Sequence, residues 1–183
     1  MGLTAEEFAQ RWQSCQPVVW CVAASIVADR NLADDVVQEA AVIALGKLDT
    51  FKPGTSFSAW MAQIVRYTAL NWARARRSSP GTLEDGFVGP DRKPTNGAVA
   101  ADGRLAPDQD AFDDQVQRAL WALSEPARAC LLLKTVVELD YREIAEVLGL
   151  AENTAMSHVH RARARMRELL RERQTPLPSK EVR

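Results

Sequence analysis

Residues 139–166 read LDYREIAEVLGLAENTAMSHVHRARARM, and this stretch decides the fold. Its pattern is two helices joined by a tight turn. Asp140 stands where it can cap the first helix, and Glu143, three residues on, where it can reach back to complete a capping box. Leu139 and Ile144 flank that cap as a hydrophobic staple would. Ile144, Val147 and Leu148 fall on one helical face. Gly149 ends the helix, because the residue past a helix end commonly takes a positive φ that glycine adopts freely. A second helix begins between Ala151 and Asn153. Its apolar positions are Ala155, Val159, Ala162, Met166 and Leu169, at helical spacing. Glu152 lies at its start, and Asn153, Thr154, Ser157, His158, Arg161 and Arg165 line the opposite face. Two readings fit: a helix-turn-helix with a DNA-reading face, or a helical hairpin whose charges are merely solvated.

The rest of the chain sets limits on both. It has 183 residues, enough for one domain or two small ones. Its hydrophobic fraction of 46% is that of a globular protein, and its formal net charge is −1. No overall field draws it to nucleic acid, so any DNA binding must come from local patches. The longest uncharged apolar run, Val18–Ala28, is far short of the roughly 20 residues of a membrane span, so no membrane insertion is expected. No signal-peptide pattern opens the chain. Cys15, Cys21 and Cys130 lack metal-ligand spacing and read as small core residues of a cytoplasmic protein.

Taken in order, Phe8, Trp12, Val19, Val22, Ala23, Ile26 and Val27 suggest two helices, with a break near Pro17. Asn31 offers a cap for a helix of roughly Leu32–Leu48, with Val36, Val37, Ala40, Ile43 and Ala44 as its apolar stripe. Asp35, Gln38, Glu39 and Val42 share its other face. That face reads as solvated, with acids favoured near the helix N-terminus, or as a protein-binding surface with an exposed valine at its centre. A metal role would need further ligands, and no histidine lies nearby.

A Pro53-Gly54 turn follows, then a helix capped by Ser56 or Ser58 and running to about Arg77. Phe57, Trp60 and Ile64 read as core. Arg66, Arg74, Arg76 and Arg77 stand in a segment without acidic residues, a basic patch inside a neutral chain. Tyr67, Asn71 and Arg74 recur at helical spacing, and Trp72 lies beside them. Basic groups neutralise phosphates and aromatic faces stack on unpaired bases, so this helix is the better candidate for single-stranded nucleic acid.

Ser78–Asp108 holds 5 of the 9 glycines and 4 of the 9 prolines, without sustained periodicity. It reads as a flexible linker. Phe112, Val116, Ala119, Leu120 and Leu123 then form an amphipathic pattern. Ser124 can cap the next helix, and Ala127–Val137 is apolar enough to be buried. No repeat and no strand pattern occurs. The expected architecture is all-α: two small helical domains, residues 1–77 and 109–171, joined by a flexible linker over 78–108, with the helix-turn-helix in the second and a frayed tail over 172–183.

The order of these parts resembles a known family. DDVVQEA at Asp34–Ala40, LDTF at Leu48–Phe51 and SFSAW at Ser56–Trp60 look like the second region of bacterial sigma-70-type sigma factors. LSEPARACLLL at Leu123–Leu133 and YREIAEVLGL at Tyr141–Leu150 look like their fourth region. Content limited to these two regions is similar to the extracytoplasmic-function group. The resemblance implies a transcription initiation factor that binds core RNA polymerase and promoter DNA. It assigns polymerase binding to Asp35, Gln38, Glu39 and Val42. It assigns reading and opening of the minus-ten element to Arg66, Tyr67, Asn71, Trp72, Arg74, Arg76 and Arg77. It assigns minus-thirty-five readout to Glu152, Asn153, Thr154, Ser157, His158 and Arg161. An anti-sigma factor is a further partner that the resemblance admits. Thirty-one extended residues reach at most about 100 Å, against roughly 70 Å between two elements two helical turns apart. Tyr67 stands where members often have Asn, and Met156 and His158 where Lys or Arg is frequent.

The competing class is a helix-turn-helix regulator of duplex operators, which needs neither DDVVQEA nor an aromatic-basic helix, and no heptad seam for its dimerisation is visible. An enzyme is not expected, since no phosphate-cradling loop, nucleophile-base pair or metal cluster stands in the sequence. No cofactor is expected either.

Overall fold

A computed structural model of the chain describes residues 2–27, 30–78 and 108–172. Nearly all of the expected linker and tail lie outside these ranges. Among the described residues seven α-helices follow in order: α1 (Ala5–Val27), α2 (Arg30–Leu45), α3 (Phe57–Ser78), α4 (Asp108–Trp121), α5 (Glu125–Thr135), α6 (Tyr141–Leu148) and α7 (Glu152–Glu172). A 3-10 turn over Leu48–Thr50 joins α2 to the loop before α3. No strand occurs among the described residues.

Pro17 does not break the first helix; α1 runs straight through it. The break expected from proline loses to burial. Cys15, Val18, Val19 and Val22 continue one buried stripe across it, while Pro17 itself is exposed. The carbonyl that loses its intrahelical partner therefore has access to water. Upstream, Thr4 and Glu7 form a reciprocal cap, with the Thr4 N–H donating to Glu7 Oε2 (2.8 Å) and the Glu7 N–H to Thr4 Oγ1 (3.2 Å). The backbone N–H of Thr4 above all holds the Glu7 carboxyl below its ordinary pKa. The second helix also departs from expectation. It starts at Arg30, so Asn31 is inside it, and it stops at Leu45 rather than Leu48. Leu48 belongs to the 3-10 turn.

Helices α1, α2 and α3 pack together as the first domain. Val19, Val22, Val36, Met61 and Val65 are fully buried between them. Each such side chain removed from water contributes about 1.5–3 kcal/mol. Phe8, Trp12, Phe51, Phe57 and Trp60 close one end as an edge-and-stack cluster with ring centroids 5.5–6.0 Å apart. Ser56 rather than Ser58 caps α3, accepting from the Ala59 N–H at 3.2 Å.

In the second domain α7 packs on α4, α5 and α6. Ser124 occupies the N-cap position of α5 but its side chain makes no cap hydrogen bond. The helix-turn-helix is capped as its sequence requires. Asp140 Oδ1 accepts from the Glu143 N–H (2.7 Å), and the Asp140 N–H donates to Glu143 Oε2 (2.8 Å). Such a cap is worth about 1 kcal/mol. Gly149 takes φ 66°, its N–H returning to the end of α6. Ala155, Val159 and Ala162 of α7 are buried.

The two domains also pack on each other, α5 against α1 and α6 against α3. One continuous core runs from Val22 and Val65 through Cys130, Leu133, Ile144 and Val159.

Candidate polymerase and nucleic-acid interfaces

The inner side of α2 is made of Ala33, Val36, Val37, Ala40 and Ala44, all buried. Helical geometry then forces Asp35, Gln38, Glu39 and Val42 outward, and all four are exposed, Val42 at 69%. Leu45, three residues beyond Val42, is 47% exposed and extends the apolar part of this face. The sequence reading missed it, although its i+3 spacing from Val42 was the signal. Two indoles bracket the acids of this helix. Trp20 Nε1–H donates to Asp34 (2.8 Å), and Trp72 Nε1–H from α3 donates to Glu39.

Helix α3 distributes its basic and aromatic residues over three directions. Tyr67, Asn71 and Arg74 form one exposed ridge, with Tyr67 at 67% exposure. An aromatic residue left so open among buried neighbours is unusual for a domain of this size. Trp72 turns towards α2 and is half-buried. Arg66 turns towards the second domain and pairs with Glu125. Arg76 is exposed; Arg77 lies in the helix, and its side chain is outside the described residues. The seven residues therefore share a helix but not a face.

On α7, Glu152, Asn153, Thr154, Ser157 and Arg161 are exposed. His158 is half-buried, beside Leu123, Ser124 and Ala127 in a shallow groove. Met156 is exposed on the polar side. The Arg161 Nε–H donates to the Ser157 carbonyl at 3.2 Å. Arg161, Arg165, Arg167 and Arg171 line an open groove along the helix with Glu168, which pairs with Arg165 at 2.7 Å, so the strip keeps a net positive charge suited to phosphates. No group of three or more potential metal ligands occurs among the described residues. Burial pushes the thiols of Cys15, Cys21 and Cys130 up to about 11, 12 and 11.

Two exposed faces, one acidic-apolar and one aromatic-basic, thus lie on one domain, and a helix-turn-helix lies on the other. Family comparison matches both halves. Residues 12–79 match the sigma-70 region 2 model and residues 113–166 the sigma-70 region 4 model. The extracytoplasmic-function sigma factor EcfG of Rhodopseudomonas palustris is 30% identical over 156 residues, covering 84% of this chain and 80% of that one. The chain belongs to the sigma-70 family, in its extracytoplasmic-function group. SigW of Bacillus subtilis is likewise 30% identical, over 76% of both chains. A probable sigma factor of Xanthomonas campestris, RfaY, is 30% identical over 87% of this chain, which spans 39% of that protein's length. Among solved structures, the sigma factor RpoE of Bartonella quintana, in complex with the anti-sigma factor NepR, superposes with a TM-score of 0.64 at 26% identity, over 91% of this chain and 98% of that one. CnrH, in complex with the cytosolic domain of CnrY, shares the fold at a TM-score of 0.63 and 22% identity.

A sigma factor of this kind directs RNA polymerase to promoters. The operator-binding regulator gives no account of the region 2 match, which takes in the whole of α2 and α3. No helix among the described residues is long and apolar enough to cross a membrane.

Proposed function

We propose that the chain divides promoter selection among three surfaces. Asp35, Gln38, Glu39 and Val42, extended by Leu45, hold a basic surface of core polymerase. Tyr67, Asn71 and Arg74 form the centre of the minus-ten site, with Tyr67 stacking on a base drawn out of the duplex. Asn153, Thr154, Ser157 and His158 read base edges upstream, while Arg161 and the arginines beyond it contact phosphates. Trp72 acts inside the first domain, tying Glu39 of the polymerase face to the DNA-opening helix. The observation that carries this reading is the open Tyr67 ridge on a helix whose other aromatics are buried or half-buried. The chain works in the cytoplasm, where polymerase and promoter are. An anti-sigma factor is a further partner, on the likeness to the sigma factor crystallised with NepR.

Run-off transcription with core polymerase on randomised promoters tests the reading. Transcripts enriched for two motifs at fixed spacing support it. Absence of any sigma-dependent transcript, with the chain folded, refutes it.

A further inference from the structure

The outward side of α7 carries one residue that the polar reading of that helix leaves without a task. Met156 is 39% exposed, one of the few large apolar side chains left open among the described residues. Helical spacing sets it one turn beyond Glu152 and Asn153, one turn before His160 and beside Ser157, and all four of these are exposed. The packing of α7 does not use it. Ala155, Val159 and Ala162 are buried and form the inner side of the helix. An unbranched thioether held in water among polar neighbours costs free energy in the free chain and recovers it against an apolar partner.

The charge pattern of the same helix narrows the partner. From Glu152 to His160 it holds no lysine or arginine; Arg161, Arg163, Arg165, Arg167 and Arg171 all follow. The N-terminal turns of a recognition helix meet base edges. The cations of α7 thus lie beyond the base-facing part, which offers an amide, hydroxyls and a thioether. Guanine is read above all by arginine or lysine on O6 and N7, and these turns lack that contact. Asn153 supplies the amide that pairs with N6 and N7 of adenine, and an apolar side chain is what meets the C5-methyl of thymine. Residues three apart on a helix have Cβ atoms about 5–6 Å apart, against a base-pair rise of about 3.4 Å. Asn153 and Met156 can therefore reach the same A·T pair or two adjacent ones.

We propose that Met156 is a specificity-determining residue of the upstream site. Its side chain covers the C5-methyl of a thymine in the major groove, and with Asn153 it biases the element towards A·T at that step. The inference deepens the upstream-readout reading above and rests on it. Contact with a methyl group adds no hydrogen bond; it acts by taking apolar surface out of water on both sides. Its loss is therefore small, confined to one base and insensitive to salt, unlike the loss of an arginine on phosphate.

The test uses the full chain assembled with core polymerase on duplex promoter DNA. A binding selection randomised over the upstream element should return a thymine that Met156→Ala no longer requires, with preference at the other positions unchanged. Deoxyuridine at that position then removes the methyl alone. It should weaken wild-type binding about fourfold, the transfer free energy of one such group read as an affinity ratio, and leave Met156→Ala unaffected. Met156→Arg should move the preference there towards guanine. The deoxyuridine comparison is made on the wild-type protein, so the folding of a variant does not enter it. Equal wild-type affinity for thymine and deoxyuridine at every thymine of the selected element overturns the inference, as does a Met156→Ala selection that matches wild type. Changes at Ser157 and Arg161 keep two failures apart. Where they alter binding and deoxyuridine does not, only the role of Met156 falls. Where they too leave binding unchanged, the upstream-readout reading falls and this inference with it.

Discussion

If Tyr67 stacks on a flipped base as proposed, its replacement by alanine should separate DNA opening from everything else the chain does. The ring is 67% exposed on α3 and lies outside the buried core. Its removal should therefore change stability by no more than about 0.5 kcal/mol, as for surface positions generally. The cost should fall on the open complex. A base–aromatic stack is worth about 1–3 kcal/mol, and extruding a base costs a few kcal/mol. One stack thus offsets much of the extrusion of one base, and its loss should lower the open-to-closed ratio by roughly 5- to 150-fold. Duplex DNA hides base faces but exposes phosphates, so closed-complex binding should stay nearly intact.

Permanganate reactivity of thymines on linear promoter DNA, at saturating holoenzyme, measures the opening directly. A pre-melted bubble should rescue Tyr67→Ala, because its opening cost is already met. It should rescue Arg74→Ala less, since a cation acts on the strand backbone before and after melting. Equal thymine reactivity for wild type and Tyr67→Ala would show that Tyr67 holds no flipped base.

Three further outcomes follow from other surfaces. Asp35→Lys should weaken core polymerase binding at least tenfold, as like charges then meet a basic partner; unchanged affinity in a sedimentation or fluorescence titration contradicts the assignment. Arg161→Ala should weaken DNA binding evenly across sequences and flatten its salt dependence, whereas changes at Ser157 and His158 should alter base preference in a binding selection. Cys15, Cys21 and Cys130 should resist alkylation at pH 8 until the chain unfolds, because burial raises their pKa values from 9.0 to about 11, 12 and 11. Their folded-state values are raised, so the stability linked to them is present below about pH 9 and is lost as pH rises towards 11–12; thermal melts across that range check the sign.

The helix-turn-helix was legible because its signals are local. Asp140, Glu143 and Gly149 each specify a backbone geometry within four residues, and the structure realises all three. The outward face of α2 was legible for the same kind of reason, since a buried stripe at helical period fixes what lies opposite. Pro17 misled because its local penalty of about 3 kcal/mol was set against nothing, whereas the fold sets it against a buried stripe on both sides. The end of α2 at Leu45 was missed likewise. Its pattern does not reveal that Leu48 is needed in a 3-10 turn, where its carbonyl accepts from the Leu3 N–H at 3.0 Å.

The seam between the domains was beyond such reasoning for a different cause. Its apolar members, Cys130, Leu133 and Ile144, already have a sufficient explanation as the core of a small domain, so nothing in their spacing asks for a second partner. Its polar members are less legible still. Arg128 sits in an apolar helix where an arginine reads as a solvated exception, and its acceptor is a backbone carbonyl, which no side-chain pattern advertises. Arg66 reads as one of four similar arginines until a carboxylate 59 positions away singles it out. The same residue type on the same helix is thus divided by tertiary contact. Arg74 shares the exposed ridge of Tyr67, while Arg66 is held against the second domain. Periodicity places a residue on a helix; only the packing of that helix decides which of its charges faces solvent and which faces the rest of the chain.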